Sequence, residues 1–312
     1  MCEAPTRVAI CVPTCRRPAG LTRLLGALAG LRFQGLPPSL RLVVVDNDPA
    51  ASGRAVCDAL AERLPMPLDY RVEKRRGIPQ ARNAALAACL ADSDFVAFLD
   101  DDEVPSEIWL DELLRVQRQT AADAVTGPCL SRFREPPPAW VEASEIFLRP
   151  RPDNGESVGF AFTGNVLLRT RAVAGMDSLF DERLASIGGE DSEFFERFTR
   201  AGHRIAWCDS AVVEDEVPAA CVRLSWILGR AYRSGAATAY IDRKLDPELA
   251  TLLRVLAHGA WCLGRASLAL LLASLRGRAA AARALRLGAF GAGRLGGLVG
   301  LHYAEYRVIR GG

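Results

Sequence analysis

Short apolar runs alternate with longer segments of helical period through most of the chain, and each run closes on polar residues. Arg7 to Val12 reads as a strand buried on both faces and broken by the loop Pro13 to Pro18. Leu21, Leu24, Leu25 and Leu28 then share one face of a helix over about Gly20 to Leu31. The pattern repeats with a strand at Leu42 to Val45, the polar stretch Asp46-Asn47-Asp48-Pro49, and a helix over roughly Arg54 to Arg63. Tyr70 to Val72 is a third strand. Pro79 fits the first turn of the next helix, which Ala84, Ala85, Ala87 and Ala88 carry to about Ala91. Phe95 to Leu99 is a fourth buried strand. Strands alternating with helices predict an α/β fold built from βαβ units, a mostly parallel sheet with helices on both faces.

Further along, Ser106 is placed to cap a helix over Glu107 to about Gln119, and Ala124 to Gly127 reads as a strand. Residues 131 to 156 show no period, which marks a lid or binding segment; Trp140 within it suits either stacking on a sugar ring or anchoring the loop. Phe160 to Leu168 resumes the sheet. Ile187-Gly-Gly-Glu-Asp191 opens a helix whose Phe194, Phe195 and Phe198 face inward. Arg204 to Cys208 and Ala211 to Val213 are strands, the second leading into Glu214-Asp215-Glu216, and Arg223 to Tyr232 is a helix.

Composition excludes disorder as the main state: 50% of residues are hydrophobic and 24% charged. The net charge of +2 hides an asymmetry. From Leu249 onward Glu305 is the one acid, while Arg254, Arg265, Arg276, Arg278, Arg283, Arg286, Arg294, Arg307 and Arg310 bring that region to +8 and leave −6 on the rest. The chain therefore divides at 245/246 into an acidic α/β domain and an apolar, Arg-rich helical appendage, residues 246–312. On one ideal helix Arg254, Arg265, Arg276, Arg283 and Arg294 would fall within about 40°, although Gly288, Gly291, Gly293, Gly296 and Gly297 argue for two or three segments. An arginine edge beside a Leu/Ala face predicts helices lying on a membrane surface; spanning by Val255 to Leu275, which contains His258 and Arg265, and packing on the catalytic domain are the alternatives. The N-terminus lacks the apolar core of a signal peptide and the nine cysteines are scattered, so the expected place is the cytoplasm, at the inner face of the cell membrane. Cys11 and Cys15 lack a second pair to complete a metal set. A nucleic-acid partner is not expected.

The chemistry concentrates at the end of the fourth strand, where Asp100, Asp101 and Asp102 emerge together. In open α/β sheets ligands bind at that edge, and crowded carboxylates suit Mg²⁺ or Mn²⁺, which bridges to phosphates. An acidic turn capping the next helix would explain three aspartates equally well. Gly77, with Arg75, Arg76 and Arg82 near a helix start, suits a diphosphate or ribose, or else forms a solvated basic turn. Glu190 and Asp191 are a second acidic cluster, explicable as partners of the helix dipole.

Taken in order, Val12-Pro13-Thr14 with Arg17, Val44-Val-Asp46-Asn47, Gly77 with Ala81-Arg82-Asn83, Phe98-Leu-Asp-Asp-Asp102, Gly164-Asn165 and Gly189-Glu190-Asp191 resemble a family 2 glycosyltransferase of the GT-A fold over roughly residues 6 to 235. The resemblance implies an inverting transferase that moves a sugar from a nucleoside-diphosphate donor, UDP first, to a hydroxyl of a glycan or lipid-linked acceptor. It implies that Thr14 and Asp46 hold base and ribose. Pro13, Arg17, Asn47, Arg75, Gly77, Arg82, Asn83, Asp100, Asp101 and Asn165 would line the nucleotide site. Asp100 and Asp102 would form a DxD motif binding Mn²⁺ or Mg²⁺, and Asp191, beside Glu190, would be the catalytic base. The sequence departs from the family where Glu214-Asp215-Glu216 stands in place of a His, which leaves a third metal ligand open. A sugar nucleotidyltransferase and a non-catalytic binding protein are the rival readings; the first lacks the expected glycine-rich loop between Pro13 and Pro18.

Overall fold

A computed structural model describes residues 5–301; Cys2, Glu305, Arg307 and Arg310 lie outside the described residues. The chain runs β1 (Arg7–Thr14), α1 (Pro18–Ala29), β2 (Ser39–Asp46), α2 (Arg54–Leu60), β3 (Leu68–Val72), α3 (Ile78–Cys89) and β4 (Phe95–Phe98). β2 lies beside β1 and β3 beyond it, all parallel, while β4 joins the other side of β1, also parallel. The connections therefore reverse direction across β1, and a crevice opens there at the carboxyl ends of the strands. Thr14 is paired in register with Asp46, and Cys11 with Phe98, so the polar ends of these strands reach one edge.

Alternation along β1 explains the two helical layers. Val8, Ile10 and Val12 pack with Leu21, Leu24, Leu25 and Leu28 of α1, whereas Ala9 and Cys11 pack with Ala81, Ala85 and Leu86 of α3. Beyond β4 come β5 (Glu103–Pro105), α4 (Trp109–Thr120), β6 (Ala124–Thr126), β7 (Cys129–Phe133), α5 (Ala139–Ser144), β8 (Ser157–Val158), β9 (Val166–Arg169), α6 (Thr170–Ala174), α7 (Glu190–Arg200), β10 (Ile205–Trp207) and β11 (Val213–Val217). The large sheet is ordered β3-β2-β1-β4-β9-β6-β10-β8, with β9 antiparallel to both neighbours. α4 joins the α1 layer, and Phe194, Phe195 and Phe198 of α7 close the other face. The α/β expectation holds, with a mixed sheet beyond β4.

Four local expectations are corrected. Residues 131–156 are not without structure, since they contribute to β7 and contain α5. The strand expected over 160–168 is confined to Val166–Arg169, because Asn165 and Thr163 turn inward before it. Ser106 does not cap α4: Ile108 stands at the cap position and the Ser106 hydroxyl is buried without a partner among the described residues. The strand expected at 211–213 is β11, so Glu214, Asp215 and Glu216 are strand residues in a second small sheet, β5-β11-β7.

The next helix continues past Tyr232 as α8 (Leu224–Leu245). The helix Leu249–Leu298 breaks at Gly277, whose φ of 80° suits glycine, into α9 (249–276) and α10 (278–298). α10 packs against both α8 and α9 through glycines: a Cβ on Gly293 would meet the Tyr232 carbonyl at 1.9 Å, and one on Gly291 would meet Cys262 at 2.7 Å. The expected arginine edge is incomplete, because Arg294 is buried and bonded to Asp242 at 2.7 Å. α9 instead presents Leu253, Trp261, Leu268, Leu271 and Leu275 to the outside. By length and composition Leu249–Ala273 could cross a membrane.

Candidate active site

The triple aspartate divides its labour by direction. Asp101 turns inward, 5% exposed, and accepts from the Thr14 hydroxyl at 2.8 Å and the Cys15 amide at 3.3 Å. Asp100 and Asp102 point outward with side chains 37% and 34% exposed. Arg17 reaches over the turn, 3.1 Å from Asp101 and 2.6 Å from Asp102. Gly20 lets α1 approach this closely, since a Cβ there would stand 2.5 Å from the Asp101 carbonyl oxygen.

Arg82 joins the two acidic clusters. Its guanidinium lies 3.0 Å from Asp100 and 2.5 Å from Glu190, at the first turn of α7, although the two acids are far apart in sequence. Burial works against its charge, and Asp100, Glu190 and Asp191 outweigh it, so its proton is held more firmly than usual. Its Nε is buried without a hydrogen-bond partner among the described residues. Gly189, with φ 85°, starts α7 so that Glu190 points inward to Arg82 and Asp191 stays half-buried at the surface. Burial raises the Glu190 carboxyl against the pull of Arg82. Asp191 accepts from the backbone amide of Ser192 at 2.7 Å.

The remaining expected residues serve the frame. Both Asp46 oxygens are occupied, one by the Asp48 amide and the other by the Gly53 amide at 2.6 Å and the Tyr70 hydroxyl at 2.7 Å. Asn47 holds the following loop, donating to the carbonyls of Glu73 and Arg75 and accepting from the Gly77 amide at 2.7 Å. Gly77 (φ 146°) has no room for a Cβ, which would meet Gln80 at 1.9 Å. Arg75 pairs with Glu73 and Glu182, and Asn83 exchanges two hydrogen bonds with the Phe180 backbone. Asn165 is fully buried, accepting from Trp109 and donating to the carbonyls of Pro128 and Ala211. Pro13 is half-buried opposite Val45. None of Asp46, Asn83 or Asn165 presents an unspent polar atom to the crevice.

Two further acids complete the cluster: Glu103, which the sequence did not single out, and Asp215, marked there only as part of Glu214-Asp215-Glu216. Glu103 is buried below the turn, accepts from the Asp100 amide at 2.8 Å, and is raised well above the usual range by burial and by Asp100 and Asp102. Asp215 pairs with Glu103 in register across the small sheet. Burial, with Asp102 adding, pushes it up to about 6. The available signal was the alternation Val213-Glu-Asp-Glu-Val217, which sends Glu214 and Glu216 to one face and Asp215 to the other.

This excess of negative charge fits a divalent cation. Among the described residues no group of three or more His, Cys, Asp or Glu side chains is placed to hold a metal ion. Two open carboxylates, Asp100 and Asp102, suit a hard ion that takes one or two protein oxygens and fills its remaining positions with phosphate and water. Asp101, which burial lifts to about 6, and Asp215 bind protons more tightly folded than unfolded, so their favourable contribution is lost as pH rises through about 6. Mn²⁺ should therefore raise the melting temperature more at about pH 7.5 than at about pH 5. An equal shift at both, measured by differential scanning fluorimetry, would contradict this reading of the cluster.

Comparison with known proteins supplies relatives. The model described as "Glycosyl transferase family 2" matches residues 9–175. The succinoglycan biosynthesis protein ExoM of Rhizobium meliloti is 36% identical over 229 residues, 72% of this chain and 71% of that protein. A pre-mycofactocin glycosyltransferase of Mycobacterium tuberculosis is 30% identical over 82% of this chain, which spans about half (52%) of that relative. Among solved structures, the mannosyltransferase PcManGT of Pyrobaculum calidifontis, in complex with GDP-Man and Mn²⁺, aligns with a TM-score of 0.63 at 18% identity over 95% of this chain and 89% of that one. S. aureus TarS 1-349 in complex with UDP aligns at 0.55, also with 18% identity, over 98% and 95%.

Proposed function

The chain belongs to glycosyl transferase family 2 and is a glycosyltransferase, and from that premise we propose that it transfers a sugar with inversion from a nucleoside-diphosphate donor to a hydroxyl of a glycan or lipid-linked acceptor. The single observation that carries the reading is Arg82, one guanidinium touching both Asp100 and Glu190, which sets the two acidic clusters across one crevice.

In this mechanism Asp100 and Asp102 would hold Mn²⁺ or Mg²⁺, which would neutralise charge developing on the departing diphosphate. Asp191, half-buried where Glu190 is buried, takes the proton from the acceptor hydroxyl. Glu190 fixes Arg82, and Arg82 in turn orients Asp100. Arg17, 2.6 Å from Asp102, would exchange that carboxylate for the donor's diphosphate if Asp102 held a cation. UDP is the first nucleotide to try, with GDP next, since solved relatives hold one or the other. Thr14, Asp46 and Asn47 shape the nucleotide pocket through the loops they fix.

The test is a panel of nucleotide sugars with Mn²⁺, read by thermal stabilisation. One donor should raise the melting temperature well above Mn²⁺ alone; a flat panel would contradict the proposal. The exposed leucines and Trp261 of α9, with Arg265 over the Trp261 ring, further support peripheral membrane contact from the cytosolic side. The protein should sediment with membranes and leave them only with detergent or high salt; full recovery in the soluble fraction at low salt would exclude this.

A further inference from the structure

Asp191 follows two glycines in the left-handed region, Gly188 (φ 81°) and Gly189 (φ 85°), a turn with little stiffness of its own. What holds it is α8. Ala237, Ile241 and Lys244 recur at helical spacing on one face of that helix. A Cβ on Gly189 would stand 3.1 Å from that of Ala237 and 3.5 Å from Ile241, and Leu184 and Ile187 pack with Ala237 and Tyr240. Lys244 completes the face with charge. Its ammonium lies 2.6 Å from Asp181, ahead of the glycines, and 2.6 Å from Glu193, beyond them.

Both ends of this bridge reach the site. Glu193 is fully buried three residues after Glu190, so the start of α7 is anchored twice, by Arg82 of α3 through Glu190 and by Lys244 of α8 through Glu193. Asp191 stands between the two anchors. Asp181 begins the single turn Glu182–Ala185, in which Glu182 pairs with Arg75 at 3.0 Å and Ala185 lies 2.7 Å from where a Cβ on Gly77 would stand. Neither acid depends on the lysine for its charge balance. Glu193 keeps Arg197 at 2.7 Å and Asp181 keeps Arg183 at 2.9 Å. What Lys244 adds is a tie from a separate helix to both sides of the glycine turn.

We propose that Lys244 is a positioning residue for the general base: by binding Asp181 and Glu193 together it fixes the Gly188-Gly189 turn and sets Asp191 against the incoming hydroxyl. The inference rests on the transferase reading above and adds to it a residue outside the crevice on which the rate depends.

The measurement is single-turnover release of nucleoside diphosphate by the full chain with Mn²⁺, water as acceptor, and the nucleotide sugar that gives the largest thermal shift, radiolabelled so that slow variants are read. Lys244→Met should slow release by about 10- to 100-fold, since a misplacement of about 1 Å suffices for that, and leave donor affinity within about twofold. Lys244→Arg, still able to donate to both acids, should recover most of the rate. Lys244→Met combined with Asp191→Asn should be no slower than Asp191→Asn alone, because a residue that acts through Asp191 then has nothing left to position. Should Lys244→Met fail to fold, Glu193→Gln cuts the same tie from α7, keeps the side chain's shape, and should show the same loss and the same lack of additivity. A wild-type rate in Lys244→Met, a loss of donor affinity as large as the loss of rate, or additive losses in the double variant would overturn the inference while leaving the transferase reading intact. Wild-type release by Asp191→Asn alone overturns it together with the assignment of the base; a wild type that releases nothing sinks the reading beneath both.

Discussion

Asp191→Asn is expected to lower the transfer rate by about 10²–10⁴-fold while leaving donor affinity within about twofold, the signature of a lost general base. Asparagine keeps the shape and the hydrogen bond to Ser192 but cannot accept the proton. The neighbouring acid does not substitute, because Glu190 is buried against Arg82 and burial already disfavours its charge. Glu190→Gln should behave differently. It leaves Arg82 with half its compensation, so the melting temperature should fall along with activity. Single-turnover rates and donor titrations on the two variants separate the roles; near-normal turnover in Asp191→Asn would remove that residue from the chemistry.

The second large effect belongs to the outward aspartates. Asp102→Ala should reduce transfer by about 10²–10⁴-fold, as losing several kcal/mol of charge stabilisation implies. It should also abolish stabilisation by Mn²⁺, and EDTA should stop the wild type. The metal-free variant should be no less stable than the wild type, because Asp102 adds to the repulsion that lifts Glu103 and Asp215. A variant that unfolds more readily without metal would show that the Arg17 pair, not the cation, is what Asp102 serves.

The parallel half of the fold was readable because its strands are buried on both faces and so appear as unbroken apolar runs, Val8 to Val12 and Val43 to Val45 among them. The small sheet was not. Three of five residues in β11 are acids, and backbone pairing with β5 and β7, invisible in composition, is what makes them a strand. The acidic clusters were legible as clusters but not as directions: nothing local tells Asp101 to turn toward Thr14 while its neighbours face out. Asn165 is a motif residue whose side chain is bonded to Trp109 and two carbonyls, contacts that no local pattern announces. The place of Arg82 near a helix start suits a phosphate partner, whereas its long-range contact with Glu190 exists only in three dimensions. In the appendage, the arginine spacing was real but the break at Gly277 splits the register and buries Arg294.

The central claim, one crevice in which Asp100 and Asp102 face the departing diphosphate and Asp191 faces the incoming hydroxyl, is tested most directly by ³¹P NMR of the stabilising nucleotide sugar incubated with Mg²⁺ and protein, water serving as a slow acceptor. Nucleoside diphosphate should appear with the wild type and stay at background with Asp191→Asn and Asp102→Ala. Release by either variant at the wild-type rate, or cleavage to nucleoside monophosphate and sugar phosphate, would contradict it.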